Sequence, residues 1–576
     1  MQPLSAVFPR RRCYLPAARS VATLAAVLIL TGCGGAGDSR AEYAASVSES
    51  DRYGGTVIIG IANDPGTMNP LTSLDLITEA AQAHLLSAPL FKRDERLEFI
   101  PWLAERWDTV RVTPDTIALT IHLRDDVLWH DGVPVTAEDL LFTYQRMRDP
   151  LVGYPRGGLL RMWDPRAELL DSHTIRFRLR PYSDFLHVLQ EAILPRHLLE
   201  DVPPEELRRH PFGINPVGSG PYRFVRYTRG QEWVFEANPD YPEALGGRPY
   251  LDRIVLRVLP DQNTRLTEMI TGGIDLAAVR ASHAGRAAEY GNVRFLSHPD
   301  FRYSFIAWNN RLPLFADARV RRALSLGLDR QQLLDAVAFG YGETGRFTIT
   351  PGHWPFDRES SRAAVAFAPD EAERLLDEAG WSARGSDGIR RNAAGRPFRF
   401  SLLSPYGNEE AMEMLTIVQA QLRRLGVDVV ARVMDTGTMW DMVEGNLDST
   451  GERVRDYEAI VETWSDYVRK DDYYILHSRS SNELSGLTGY GDPESDRLID
   501  SLALTLDRDL ALPMWREYER RMLEESPLAV LFYPQTVVAV RASVQGVQAD
   551  ARGTWHSAAR WWVMPADRRA MGGRTR

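Results

Sequence analysis

"WHDGVPVTAEDL", Trp129 to Leu140, sets a histidine beside an aspartate, then a glycine, then two acids, Glu138 and Asp139. Two readings compete, a His–Asp dyad that does chemistry and a structural joint. The preceding run "TIALTIHLRDDVLWHDG" (Thr116–Gly132) alternates apolar and polar residues and breaks at Asp131-Gly132, as a strand entering a turn does. Pro134 follows, then Thr136 with Asp139 three residues on, the spacing of an N-cap and its reciprocal acid. Leu140, Leu141, Tyr144 and Met147 then recur at helical spacing. Neighbours on a strand point to opposite faces, so His130 and Asp131 are badly placed for a dyad while the strand persists. The stretch is therefore expected to be a strand, a tight turn and a capped helix, with no chemistry of its own.

Working outward, the same mixture of strands and helices recurs. "GGTVIIGIAND" (Gly54–Asp64) reads as a buried strand ending in a turn, and "AAQAHLLSAPL" (Ala80–Leu90) is helical in period. "NPVGSGPYRFVRY" (Asn215–Tyr227) and "NPDYPEALGGRPYLDRIVLRV" (Asn238–Val258) are turns or loops leading into strands. "GGIDLAAV" (Gly272–Val279) follows a helix expected to start near Asn263. "LPLFADARVRRALSLGLDRQQLL" (Leu312–Leu334) is expected to form one long amphipathic helix capped by Asp317. "DEAERLLDEAGW" (Asp370–Trp381) is a helix stopped by Gly380, and "YGDPESDRLIDSL" (Tyr490–Leu502) is a turn into a helix.

Composition bounds the function. The chain has 576 residues, enough for two or three lobes, and 44% of them are hydrophobic, ample for packed cores. Its net charge of −10 makes it a poor ligand for nucleic acid. All basic residues except Lys92 and Lys470 are arginine, and neither lysine follows a glycine, so a P-loop is excluded. No two histidines lie three to five residues apart, and neither His-Glu-x-x-His nor Gly-x-Ser-x-Gly occurs. "GYGETG" (Gly340–Gly345) follows a helical run and precedes Thr-Ile-Thr-Pro, the reverse of a dinucleotide-binding strand–loop–helix. It is read as a helix-terminating loop. No enzyme, cofactor or metal reading is supported.

The first 32 residues form a separate unit. Arg10, Arg11, Arg12 and Arg19 precede "VATLAAVLIL" (Val21–Leu30), an apolar run too short to span a bilayer and suited to a signal peptide. Of the two cysteines, Cys13 falls inside this signal and Cys33 directly follows it, so the body beyond Cys33 has no thiol, disulfide or cysteine metal site. "GGAGDSRAEYAASVSESDRY" (Gly34–Tyr53) has no apolar period and reads as a tether within 33–53, reaching roughly 25 Å as a flexible chain.

Seven pieces, in order, resemble one family. They are "LRDDVLWHDGVPVTAEDLLFTYQR", "NPVGSGPYRF", "NPDYPEALGGRPYLDRI", "GGIDL", "FADARVRRALSLGLDR", "AERLLDEAGW" and "GDPESDRLIDSL". Together they are similar to the bacterial extracellular solute-binding proteins of family 5, the oligopeptide and dipeptide receptors of ABC importers. "LTGC" (Leu30–Cys33) likewise resembles a bacterial lipobox. These resemblances imply cleavage before Cys33, lipid on its sulfur, and anchorage at the periplasmic face of a membrane. They imply a periplasmic-binding-protein-like type II α/β fold, with two lobes around a hinged cleft and an additional α/β domain. Domain I would comprise 54–84, 216–299 and 526–566, domain II 85–215 and domain III 300–525, followed by a tail at 567–576. A monomer would capture a peptide between the lobes and pass it to an ABC permease and ATPase complex. Two alternatives stay open: a non-peptide solute such as a metal complex or haem, and a surface lipoprotein acting as chaperone or adhesin.

By the same resemblance, Trp464 and Asp466, with Tyr467 beside them, would meet the ligand's backbone and its N-terminal ammonium. The stretch Val468-Arg469-Lys470-Asp471-Asp472 lacks the family's Asp-Pro, so Asp471 could take that role, and Arg469 or Lys470 could meet a carboxylate instead. Ser73 and Leu74 after the first strand, and Tyr303 and Trp308 in "FRYSFIAWNN", are further candidates for contact with ligand.

Overall fold

A computed structural model describes residues 42–73, 75–190, 192–284, 289–359, 366–447, 449, 453–466, 468–482 and 486–569. The expected signal peptide, Cys33, Leu74 and Tyr467 lie outside the described residues. Two bodies separate, one ending at Val47 and the other running from Ser48 onward. In the first, the described residues include a helical turn over 42–46.

The opening stretch closes on itself within a few residues. The strand Thr116–Leu123 ends earlier than the alternation predicts, and Leu128 and Pro134 make only an isolated bridge. Trp129 N–H donates to Val133 O at 2.7 Å around Gly132, whose φ of +89° suits glycine. The helix Ala137–Arg148 then begins with Thr136 and Asp139 joined in a capping box. Because His130 and Asp131 sit in a turn, each finds a partner of its own. Asp131 Oδ2 lies 2.8 Å from His197 Nε2 near the surface, a contact the spacing alone could not show.

His130 is a clasp between two of the seven pieces. Its Nδ1 accepts from Gly218 N–H at 3.2 Å, and its Nε2 donates to Gly220 O at 3.0 Å, which fixes a neutral tautomer. The glycines are required by close approach: a Cβ at 218 would collide with Leu86 O, and one at 220 with Leu85 O. Burial, chiefly, pushes the His130 pKa down to about 4, against the opposing pull of the Gly220 carbonyl. A folded-state value below the unfolded one means the neutral ring stabilises the fold above about pH 6.5, and that this is lost as pH falls through about 4. His84 and His187, also buried, shift the same way. Chemical denaturation from pH 7 to pH 4 should therefore show falling stability, and His130→Gln, with no proton to gain, should flatten part of that fall. Equal slopes for the two proteins would show that His130 contributes nothing to it.

Two sheets carry the architecture. The smaller is antiparallel, in the order Ala104–Thr113, Thr116–Leu123, Thr174–Leu179, Glu168–Asp171. Its core gathers Ile117, Leu119, Trp129, Leu140, Tyr144, Phe177 and their neighbours. The larger is mixed. One half packs Thr56–Ile61 between the parallel strands Arg253–Val258 and Leu276–Val279. Along these strands alternate residues divide between two cores: Val57, Ile59, Ile254 and Leu256 on one face, Ile58, Val255 and Ala277 on the other. The other half holds Arg302–Trp308, Ala459–Ser465, Arg399–Pro405 and Asp428–Met434, again with a core on each face.

One strand, Leu528–Arg541, belongs to both halves. Its residues 528–532 pair with Arg302–Trp308, and its residues 535–541 pair with Val293–Pro299. The segments 293–308 and 528–541 thus run antiparallel across the junction, interrupted near Asp300 and Pro534. Asp300 fastens the break, its Oδ2 accepting from Arg302 Nε at 2.8 Å and from Thr536 Oγ1 at 2.7 Å.

The long helix expected over Leu312–Leu334 is two helices, Ala318–Leu326 and Arg330–Val337. They break at Gly327, where a Cβ would collide with Leu425, and Asp329 caps the second by accepting from Gln332 N–H at 3.0 Å. Arg330 can then turn inward, fully buried, to donate to Val530 O, Ser325 O and Ser325 Oγ. The "GYGETG" segment is likewise more than a loop, since Gly342–Thr344 pairs with the long strand at Phe532–Pro534.

Candidate functional site

A cavity of about 190 Å³ opens between the elements around the smaller sheet and those of the larger sheet's second half. Arg93, Glu98 and Asp184 face it from one side, and Trp354, Arg469, Lys470 and Arg508 from the other. Arg93 ends the strand Phe91–Arg93 and lies over the Phe99 ring, 3.8 Å from its centroid. Its Nη2 reaches Asp184 Oδ2 at 3.0 Å, and its Nη1 donates to Leu97 O at 2.7 Å. Burial lowers the Arg93 pKa and Asp184 opposes that shift. Arg508 opens the helix Arg508–Glu525, lies 4.9 Å from the Trp354 ring centroid, and pairs with Glu98 across the cavity. Two further bonds cross between the walls. Arg469 Nε donates to Ser183 O at 3.3 Å, and Ser183 N–H donates to Ala503 O at 2.7 Å.

Beneath this wall lies a buried charge cluster. The strand Ala459–Ser465 gives way to an irregular run, which Asp466 N–H ties to Phe301 O at 2.9 Å. Lys470, with 1% of its side chain exposed, sets Nζ 2.6 Å from Asp466 Oδ2 and 2.5 Å from Asp472 Oδ1. Thr348 Oγ1 donates to Asp472 Oδ2 at 2.7 Å. His353 Nδ1 accepts from Thr350 N–H at 3.0 Å, which leaves the proton on Nε2, 3.9 Å from Asp466 Oδ2. Burial alone would lower the Lys470 pKa, but Asp466 and Asp472 outweigh it and hold the ammonium well above the usual lysine range.

The sequence-derived residues fall in several places. Tyr303 is fully buried and sits under the cluster, its ring centroid 5.7 Å from Lys470 Nζ. Among the described residues its hydroxyl has no hydrogen-bond partner, and burial, then Asp466 and Asp472, raise its pKa well above the usual value. Trp464 pairs with Tyr303 across the sheet, half-buried, with its ring 6.4 Å from Trp440. Asp471 Oδ2 pairs with Arg469 at 2.9 Å. Trp308 lies five residues from Tyr303 on the same strand, hence on the opposite face, where it packs on Phe315 and Phe400. Ser73 accepts from Asp75 N–H at 3.1 Å just before the helix Leu76–Ala81. Arg93, Glu98, Asp184, Trp354 and Arg508 were not anticipated, because nothing in local periodicity relates positions so far apart in the chain.

Among the described residues, no group of three or more His, Cys, Asp or Glu could hold a metal ion, and no helix is long and apolar enough to cross a membrane. The oligopeptide-binding protein AppA of Bacillus subtilis is 28% identical over 541 residues, covering 93% of this chain and 96% of its own. The probable D,D-dipeptide-binding periplasmic protein DdpA of Escherichia coli is 24% identical over 513 residues, covering 85% and 90%. The solved structure of Bacillus subtilis AppA in complex with a nonapeptide matches with a TM-score of 0.71, covering 89% of this chain and 99% of that one. The two-lobed, periplasmic-binding-protein-like α/β architecture is thus shared. A family model described as bacterial extracellular solute-binding proteins, family 5 (middle), matches residues 98–485. That span takes in the smaller sheet, the break at Asp300 and the charged wall at Lys470 alike, and the chain belongs to the bacterial extracellular solute-binding proteins of family 5.

Proposed function

We propose that this protein is the receptor of an ABC importer, capturing a peptide between its lobes and delivering it to a membrane permease. The observation that carries the reading is the cavity between two walls that reversible contacts join, among them Arg469 to Ser183 O, Ser183 to Ala503 O, and Arg508 to Glu98. Such contacts can re-form around a ligand, and the closed state gains only by the ligand's differential affinity for it. The relatives' printed roles, an oligopeptide-binding and a probable D,D-dipeptide-binding protein, support the peptide class. We also propose that the mature chain begins at Cys33 and is held to the envelope as a monomer by lipid on that cysteine, in keeping with "LTGC" and the apolar run before it.

Trp354 and Trp515 both line the cavity, so ligand entry changes their surroundings. Titration with mixed di- to pentapeptides, half of them N-acetylated, is expected to release or absorb heat and to shift tryptophan emission together, at one stoichiometry. A chain that binds none of these peptides would refute the peptide class and favour a non-peptide solute.

A further inference from the structure

Among the described residues, the two carboxylates that line the cavity, Glu98 and Asp184, and those in and beside the cluster beneath it, Asp466, Asp471 and Asp472, already have a cation from this chain. Glu98 has Arg508, Asp184 has Arg93, Asp471 has Arg469, and Asp466 and Asp472 share Lys470. The deepest of these groups are the most committed. Asp466 and Asp472 are 8% and 1% exposed, and the Lys470 ammonium between them is 1% exposed. The other oxygen of Asp472 is held by Thr348, and Asp466 also has the His353 N–H nearby. A ligand ammonium arriving here would have to displace a primary ammonium that is already almost wholly buried and paired with two carboxylates. Displacing it would leave one buried cation unpaired, the arrangement that costs most.

Resting on the peptide reading above, we infer that Lys470 is a built-in substitute for a ligand ammonium, and that the receptor takes peptide-like solutes whose amino end is blocked or absent. The side of the cavity that abuts Lys470 then receives an uncharged group, an acyl or amide, which can accept from the Arg469 guanidinium that lines the cavity without breaking any ion pair. Free-amine peptides of the same sequence are discriminated against by the unpaired charge they would bring.

The test is a competition. An equal mixture of di- to pentapeptides with free amino ends and the same peptides N-acetylated is equilibrated with the protein, and the retained species are read by mass spectrometry. The native chain is expected to favour the acetylated set by about tenfold or more, the ratio that one lost pairing of modest strength produces. Lys470→Met combined with Asp472→Asn leaves Asp466 as the one buried carboxylate of the cluster, without its lysine. That variant is expected to reverse the preference toward free amines. Retention of free-amine peptides by the native chain at parity or better would overturn the inference while leaving the peptide reading intact. Retention of neither set would overturn both. The native comparison decides the matter even if the double variant does not fold.

Discussion

Lys470→Met is expected to cost about 3–5 kcal/mol of stability, the range for removing one partner of a buried ion pair. Methionine keeps the volume and the apolar stem, so packing against Tyr303 survives and the loss is electrostatic. What remains is two carboxylates, Asp466 and Asp472, facing one another in a wall from which their side chains are almost wholly shielded. Removing the charges as a set, in Lys470→Met with Asp466→Asn and Asp472→Asn, should recover most of the loss, because replacing a buried ionic group by neutral residues is often close to neutral overall. Equilibrium denaturation of the three proteins at pH 7 measures both effects. The sign with pH follows from the raised lysine value: its contribution is complete at neutral pH and is lost only as pH rises through the alkaline range. If the single variant is as stable as the native chain, the cluster is not the buried charge system described here.

Asp139→Ala is the second large effect, about 2–4 kcal/mol, and it arises far from the cavity. Asp139 is 4% exposed and serves four donors at once. Its Oδ2 accepts from Thr136 N–H at 2.9 Å, from Thr136 Oγ1 at 3.3 Å and from Trp129 Nε1 at 3.4 Å, while its Oδ1 accepts from Arg196 N–H at 2.8 Å. Loss of the cap removes about 1 kcal/mol, and leaving buried N–H groups without an acceptor adds about 1–3 kcal/mol. Asp139→Asn keeps one oxygen and should fall between alanine and the native chain. Thr143→Val probes the next turn, since the Thr143 hydroxyl donates to Asp139 O and accepts from Leu194 N–H. An alanine variant that unfolds at the native denaturant concentration would reduce Asp139 to a dispensable cap.

These two sites mark how far a linear reading reaches. Thr136 and Asp139 are three residues apart, and the physics joining them is local, so spacing alone reveals the cap. The glycine pair at Gly218 and Gly220 is visible as a turn, but its purpose, to let His130 and the backbone of Leu85 and Leu86 come close, needs the third dimension. The break at Gly327 was hidden because Ala318–Leu326 and Arg330–Val337 share one apolar period, and only Leu425 from a distant segment shows why no Cβ fits. At the cavity, Arg469 and Lys470 were singled out through the resemblance, whereas Trp464, Asp466, Asp471, Tyr303, Trp308 and Ser73 do not line it, and Arg93, Glu98 and Asp184 meet it from hundreds of residues away. One signal was available and went unused. In a chain that writes nearly every base as arginine, Lys470 occupies a gap between two carboxylates that a planar guanidinium with five N–H groups would overfill. Lys92, the other exception, lies against the Trp102 ring at 3.6 Å.

The paired segments 293–308 and 528–541 have a mechanical consequence. A β-ladder resists stretching and shear, because both would break its hydrogen bonds, and it yields most readily where the ladder is interrupted, although here Gly342–Thr344 pairs with Phe532–Pro534 alongside the interruption. Asp300 and Pro534 put that soft point at the same level on both strands, and the Asp300–Arg302–Thr536 bonds act there as a stop. On the receptor reading proposed above, bending confined to that level would return Arg469 to the same line of approach toward Ser183, much as a door on a pinned leaf meets its latch without needing to be guided.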